Sequence, residues 1–145
     1  MVYLQSFFSE PRATPYSVAR WQPRGYRYPE LRVLAPLLPD GRPIKRVSPD
    51  KYLDLYAGAL ASRWQDVKKT VSWLKKVDAA LCCWCNPERQ KGYEKLFCHT
   101  ILIGFLLEEA GVPVVYLDGR EKPVWDEADR ARFLKILRAE VLKRQ

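Results

Sequence analysis

Strand-length apolar runs alternate with helical patterns through the second half of this chain, and the alternation restricts the fold more than any other feature. The run AALCCWC at 79–85 has no polar alternation, which is typical of a central strand buried on both faces. A helical pattern follows from residue 97 or 98 to 110, with Gly111 placed to end it, and VPVVYLD at 112–118 is again strand-like. Strands that alternate with helices favour parallel pairing. The sequence therefore predicts an α/β fold with a mainly parallel sheet flanked by helices, in a Rossmann-like three-layer arrangement.

The first half of the chain and its C-terminal region supply further elements of the same fold. Ser48 is a good N-cap with Pro49 at the first helical position, and Asp126 is a second candidate N-cap. The remaining predicted elements are strands at Val2–Phe8 and Tyr16–Trp21 and helices at about 49–63, 65–76 and 126–143. A chain of 145 residues with 48% hydrophobic residues can bury one core, so we predict a single domain over 1–145.

Residues 22–47 interrupt the pattern with five prolines and two glycines, so most of this segment is predicted to be irregular, although PELRVLAPLL allows a helical turn. Residues 1–46 hold eight Lys and Arg residues against three acidic ones, a net charge of +5 out of +8 for the whole chain. Trp21, Tyr26 and Tyr28 are interleaved with these cations. Arginine forks match phosphate geometry and aromatic rings stack on bases. One interpretation of this segment is therefore that it binds a phosphate-bearing small molecule or a nucleic acid. Solvated loop charge is the other interpretation.

The chain contains no apolar run near the roughly 20 residues that span a bilayer, and its N-terminus lacks the pattern of a secretory signal. We therefore predict a cytoplasmic protein without a membrane partner. Thiols stay reduced in the cytosol, where clustered cysteines suggest metal binding or catalysis before disulfides.

All four cysteines and the only histidine lie within residues 81–100. Cys85 ends the predicted inner strand, and Cys98 and His99 begin the helix that follows the intervening loop. In open parallel sheets ligands bind at this junction between a strand end and a helix start. The free amide N–H groups there favour an anion and lower the pKa of a cysteine.

Three interpretations of the cluster are open. Cys83, Cys85, Cys98 and His99 can be ligands of zinc or iron, although the spacing is weaker than that of paired C-x-x-C motifs. Cys98 or Cys83 can instead be a catalytic thiolate with His99 as its base or orienting group. Cys82 and Cys83 can also be small core residues, with His99 as a capping or hydrogen-bonded residue, and this is the better explanation for Cys82.

The order of motifs resembles the domain-of-unknown-function 488 family of small bacterial and archaeal proteins. The matching stretches span roughly residues 3–118 and are YLQSFFSE, YSVARWQPRGY, ELRVLAPLL, SPDKYLDLYAGAL, ALCCW and FCHTILIGFLLEEAG. The resemblance implies a compact α/β fold with a pocket lined by Cys83, Cys98 and His99, and it implies no particular reaction. The positions that match the family are Ser6, Arg20, Tyr52, Tyr56, Cys83, Cys98 and His99.

The chain departs from the family pattern at two positions. The family continues Cys-His-Arg where this chain has Thr100, so an arginine that could bind an anion is missing, with Arg20, Arg24 or Arg89 as candidate replacements. Cys85 stands where the family often has an acidic residue, which favours metal binding here. Arg20 lies in a predicted apolar strand, where it needs either an internal carboxylate or an anionic ligand.

These observations predict a pocket at the carboxyl ends of the strands. Its predicted catalytic residues are Cys98, His99 and Cys83. Its predicted ligand-binding residues are Arg20, Ser6, Arg24 and Tyr52. Its candidate metal ligands are Cys83, Cys85, Cys98 and His99. The leading hypothesis is binding, with or without processing, of a phosphate-bearing ligand, with no cofactor required. The alternatives are a zinc, iron or thiol site and a small interaction module without catalysis. In the latter the apolar helix TILIGFLLEEAG can be a homodimer face, although core packing explains this helix more simply. Whether the protein is an enzyme is left open.

Overall fold

The computed structural model describes residues 1–44, 47–85, 98–121 and 124–145, and these residues form a four-stranded parallel sheet with four α-helices. The strands are β1 (Val2–Ser6), β2 (Thr14–Ser17), β3 (Ala79–Cys83) and β4 (Val114–Tyr116). The helices are α1 (Pro49–Ser62), α2 (Trp64–Leu74), α3 (His99–Glu109) and α4 (Glu127–Lys143), with a short 3-10 helix at Arg32–Leu34. The predicted α/β class with a parallel sheet is confirmed. No helix in the described ranges is long and apolar enough to cross a membrane.

The strand order is β2-β3-β1-β4, which puts β1 and β3 at the centre of the sheet. Ser6 pairs with Cys83 at the carboxyl ends of these central strands, and Ser17 pairs with Cys82 on the other side of β3. Every residue of β3 is buried, as its continuous apolar sequence predicts. Since all four strands are parallel, the segments that leave their carboxyl ends meet at one edge of the sheet.

The two faces of the sheet have different cores, because successive strand residues point to opposite sides. On one side Leu4 and Leu81 pack with the apolar residues of all four helices. On the other side Phe7 and Cys82 pack against partly buried tyrosines of the irregular segment, Tyr26 and Tyr28, together with Tyr3. The irregular segment thus contributes to the core.

The second strand differs from its prediction, since it ends at Ser17 and does not continue to Trp21. The backbone of Ser17 bonds to the irregular segment, donating to the Pro29 carbonyl and accepting from Leu31. These bonds direct the chain away from the sheet, so the interpretation of Arg20 as a strand residue is wrong. The short helix at Arg32–Leu34 matches the helical turn that the sequence allowed.

Local signals set the helix boundaries as predicted. The Ser48 hydroxyl accepts a hydrogen bond from the Lys51 amide at 3.3 Å, and Asp126 forms a capping box with Asp129. Gly111 follows α3 with a φ of +87°, a conformation that favours glycine after a helix. Residues 99–107 of α3 are all buried, so packing within this chain accounts for its apolar sequence.

Arg63 connects the irregular segment to the helices through hydrogen bonds. Its guanidinium donates to the carbonyls of Val33, Ala35 and Leu37 at 2.7–2.9 Å. The Tyr56 hydroxyl donates to the Leu34 carbonyl at 2.7 Å. One guanidinium that donates to three backbone carbonyls connects this loop to the helices beside the site described below.

Two helix glycines test this packing, and we expect opposite effects from replacing them with alanine. A Cβ at Gly104 would lie within 2.7 Å of the Tyr116 ring on β4, whereas a Cβ at Gly58 in α1 would meet no atom within 4 Å. Gly58→Ala should therefore raise the free energy of unfolding by about 0.5–1 kcal/mol through helix propensity. Gly104→Ala should lower it by about 1–3 kcal/mol through overpacking. Urea denaturation of the two variants measures the difference, and equal shifts would contradict the close packing of α3 on β4.

Candidate metal centre

Three thiols converge where β3 ends and α3 begins. Cys83 is the last residue of β3, Cys85 follows two residues later, and Cys98 is the N-cap residue of α3. Their Sγ atoms all lie within 4.8 Å of one another, and those of Cys83 and Cys98 are 3.3 Å apart. Sulfur ligands on a tetrahedral zinc lie about 3.8 Å apart, given a Zn–S bond of about 2.3 Å. The three thiols are free, and the cluster can hold a metal ion.

A buried arginine that the sequence analysis did not identify lies against this cluster. Arg120 has no exposed surface, and its Nη2 donates to the Cys83 Sγ at 2.7 Å and to the Cys85 carbonyl at 3.0 Å. Its Nε donates to the Thr100 hydroxyl at 2.8 Å, and that hydroxyl lies 3.1 Å from the Cys98 Sγ. Arg120 therefore places one positive charge within direct reach of the sulfur cluster.

Asp118 links Arg120 to the end of β1. Its carboxylate lies 3.8 Å from the Arg120 guanidinium and accepts hydrogen bonds from the Ser6 amide and the Ser9 hydroxyl, both at 2.7 Å. Asp118 adopts a φ of +58°, which is uncommon for a residue other than glycine. The turn after β4 thus holds a carboxylate and a guanidinium in fixed positions beside the thiols.

The three thiols differ in how readily they ionise. Burial raises the pKa of Cys83, and the pKa of Cys85 is raised mainly by its hydrogen bonds to Cys83 and Cys98. Burial also opposes ionisation of Cys98, but hydrogen bonds from Cys83 and Cys85, the charge of Arg120 and the Thr100 hydroxyl together hold its pKa well below the ordinary thiol value. Of the three thiols, Cys98 is therefore the one whose ionisation its surroundings favour, and Arg120 supplies the positive charge beside the cluster.

His99 faces a different partner. Its Nε2 lies 2.8 Å from the Val18 carbonyl, so this nitrogen donates the hydrogen bond and the ring carries its proton there. Burial lowers the pKa of His99, which keeps the ring neutral at pH 7. The group of ligand atoms within 4.8 Å of one another comprises the three sulfurs without the His99 imidazole.

The other predicted site residues lie at different distances from the cluster. Arg20 and Tyr52 line the cavity described below, and burial raises the pKa of Tyr52 well above its ordinary value. The Ser6 hydroxyl accepts a hydrogen bond from the Phe8 amide at 3.1 Å, so it shapes the turn after β1. Arg24 is exposed on the irregular segment, and Arg89 lies outside the described residues.

A cavity of about 440 Å³ opens directly onto the three sulfurs. Its walls combine the cluster with apolar and aromatic groups from the irregular segment and the strand ends, and Arg20 contributes a cation. The lining residues are Ala19, Arg20, Trp21, Pro36, Ile44, Tyr52, Cys83, Trp84, Cys85, Cys98 and His99. Its volume suits a small molecule. The predicted pocket at the carboxyl ends of the strands is thus present, with the cluster on its wall.

Comparison of the chain with protein-family models, with curated proteins and with solved structures gives no match. The similarity to the domain-of-unknown-function 488 family therefore stays a prediction.

One signal in the sequence could have indicated Arg120. The run VPVVYLDGR ends a strand and at once supplies an acidic and a basic residue, at the edge of a parallel sheet where ligands bind. The cysteine cluster and the basic first third are stronger patterns in the sequence, and neither of them points to this turn.

Proposed function

We propose that Cys83, Cys85 and Cys98 bind a thiophilic divalent metal ion, with zinc as the preferred ion, and leave its fourth coordination position open to the cavity. The convergence of three Sγ atoms within 4.8 Å of one another is the observation that carries this proposal. Thiolate ligands select zinc and iron over magnesium and calcium. Iron is therefore the second candidate ion.

The charges of the surrounding residues support the proposal. Three thiolates and one divalent cation together carry a net charge of −1, which is costly to bury without compensation. The buried guanidinium of Arg120 supplies the opposite charge, 2.7 Å from the Cys83 sulfur. Hydrogen bonds to metal-bound sulfur also orient the ligand, and Thr100 is placed to do the same for Cys98.

An open fourth position is typical of zinc sites that act on a ligand, whereas structural sites are closed by four protein ligands. The adjacent cavity can admit a small molecule to that position, and its largely apolar and aromatic wall favours a ligand with an apolar or ring portion. Arg20 at the cavity wall can pair with an anionic group such as a phosphate, so a phosphate-bearing ligand remains within this proposal.

The lowered pKa of Cys98 favours a second candidate function, in which the metal-free protein uses Cys98 as a reactive thiolate. In that case Arg120 and Thr100 activate the sulfur, and His99 cannot act as its base through Nε2, since that nitrogen bonds to Val18. The two functions share the same sulfur but differ in whether the cluster takes up a metal.

Cobalt titration separates these functions. Untagged protein is reduced, stripped with a chelator and titrated with Co²⁺, whose thiolate charge-transfer and tetrahedral d–d bands report sulfur ligation. We expect one ion per chain in the wild type and in Cys82→Ala, and loss of these bands in Cys98→Ser. Mass mapping of iodoacetamide labelling on the stripped protein then compares Cys98 with Cys82, whose pKa burial raises to about 12.

Absence of cobalt uptake would overturn the metal proposal. Faster labelling of Cys98 than of Cys82 in that protein would support the thiolate function. Equal labelling of both would leave the cluster as core packing.

A further inference from the structure

The largest exposed aromatic side chains of the described residues lie together beside the cavity. Trp21, Trp84 and Phe8 are 56%, 44% and 38% exposed. The Trp84 indole donates to the Trp21 carbonyl at 2.7 Å, and the rings of Phe8 and Trp84 are 6.0 Å apart. We call Phe8, Arg20, Trp21 and Trp84, with the turn at 23–27, the aromatic–arginine face. Two exposed tryptophans on one face of a small protein indicate an interaction surface.

Arginines surround these rings. The Arg20 guanidinium lies 4.3 Å from the centre of the Trp21 ring. Arg24 and Arg27 are exposed on the turn that carries Tyr26, and the Tyr26 ring contacts Phe8. Within the described part of the chain none of these three arginines has a carboxylate within 4.0 Å, whereas Arg42 and Arg138 each have one and Arg132 has two. The positive charge of this face is therefore not neutralised by the described residues.

The composition of the face selects one class of partner. Flat aromatic rings stack on unpaired bases, and arginines bind the intervening phosphates, a combination typical of proteins that bind single strands. Bases in a duplex are already stacked on one another, so their faces cannot lie on tryptophan rings. The other large exposed hydrophobic residues in the described ranges are Met1 and Leu142, near the two ends of the chain, so the face lacks the exposed aliphatic side chains that suit a membrane surface.

We propose that the aromatic–arginine face binds single-stranded nucleic acid, with bases stacked on Trp21 and Trp84 and phosphates held by Arg20, Arg24 and Arg27. Stacking and phosphate contacts both tolerate any base, so the binding has little sequence preference. The inference does not rest on the metal proposal, because none of these side chains is a metal ligand, although Arg20, Trp21 and Trp84 also line the cavity beside the cluster. The protein should bind equally well with and without a metal ion.

Fluorescence anisotropy of labelled 12-nucleotide dT and rU oligonucleotides tests this proposal. Trp21→Ala should weaken binding by roughly 5- to 150-fold, the loss of one stacked base, and Trp21→Phe should restore most of it. Arg24→Glu with Arg27→Glu should also weaken binding. Removal of two phosphate contacts should reduce the slope of log K against log salt by about 1.4. The matched control, Lys68→Glu with Lys69→Glu, makes the same charge change on the exposed part of α2 and should alter affinity about twofold or less.

Three outcomes would overturn the proposal. The first is that the protein binds no oligonucleotide at low salt. If it binds anionic phospholipid vesicles under the same conditions, the face contacts a membrane surface instead. The second is an equal loss of affinity in the arginine and lysine double variants. This result would show that the affinity depends on the net charge of the protein and not on contacts at this face. The third is a duplex bound as tightly as the single strand. Metal-stripped protein is tested in parallel, so that failure of the metal site and failure of this face are distinguished.

Discussion

Arg120→Met should lower the free energy of unfolding of the metal-free protein by about 3–5 kcal/mol, because it removes one partner of a buried charge network. The substitution deprives the Cys83 sulfur, the Thr100 hydroxyl and the Cys85 carbonyl of their donors, and it leaves Asp118 without its buried cation. The control is Arg138→Met. Arg138 is 67% exposed and pairs with Glu109 at 3.8 Å, so its loss should cost about 1 kcal/mol or less. Urea denaturation measures both, and equal costs would contradict the role of Arg120.

The same variant should change how stability depends on pH. The pKa of Cys98 is lower in the folded than in the unfolded protein, so its stabilisation is fully present above the ordinary thiol pKa and is lost as the pH falls through the folded value. The raised pKa values of Cys83 and Cys85 act in the opposite sense, since their contribution is lost as the pH rises above the ordinary thiol value. Arg120→Met should raise the pKa of Cys98, because it removes a nearby positive charge. It should therefore weaken the loss of stability that Cys98 causes as the pH falls. A pH profile of Cys98 labelling that does not shift would show that Arg120 acts through packing alone.

Zinc should raise the melting temperature of the wild type sharply and that of Cys98→Ser not at all. Free zinc at 1,000 times its Kd stabilises the folded state by about 4 kcal/mol. At about 2–4 °C per kcal/mol this corresponds to roughly 8–16 °C in a thermal melt. Cys82→Ala is the matched control: it should cost about 1–2 kcal/mol of stability as a buried side chain and keep the full zinc-dependent gain. Equal zinc responses of the two variants would contradict ligation by Cys98.

The pH dependence of zinc binding should reveal which thiols give up protons. The lowered pKa of Cys98 and the raised pKa values of Cys83 and Cys85 predict one thiolate and two protonated thiols in the metal-free cluster, so binding at neutral pH should release about two protons. Affinity should therefore rise by about two log units for each pH unit below the ordinary thiol pKa. A slope of three, measured by titration in buffers of known pH, would mean that Arg120 and Thr100 do not hold Cys98 as a thiolate.

Arg120 also bears on the threonine at position 100. The predicted family resemblance would place an arginine at this position, with Arg20, Arg24 or Arg89 as candidate replacements for it. In the structure the Thr100 hydroxyl receives the Nε–H of Arg120, so the cation that reaches this position comes from the turn after β4. Arg20 lies at the cavity wall, where it can meet a ligand, and Arg24 belongs to the aromatic–arginine face.

The sequence by itself determined the features that rest on local signals or on consecutive elements. The caps at Ser48 and Asp126 and the glycine after α3 follow from residue types that satisfy helix ends. The alternation of strand and helix in the second half predicted the parallel sheet. The meeting of Cys83, Cys85 and Cys98 followed as well, because they lie on either side of a single junction between β3 and α3.

Only the tertiary structure decided what surrounds the thiols. The placement of β4 beside β1 brings Arg120 to a sulfur 37 residues away in the chain, and strand order is a non-local property that no local pattern encodes. The end of β2 at Ser17 depends on backbone hydrogen bonds to Pro29 and Leu31. The orientation of the His99 ring depends on its hydrogen bond to the carbonyl of Val18, the residue after β2. The sequence could therefore locate the clustered thiols, but the arginine beside them and the orientation of the histidine depend on which strands lie next to one another.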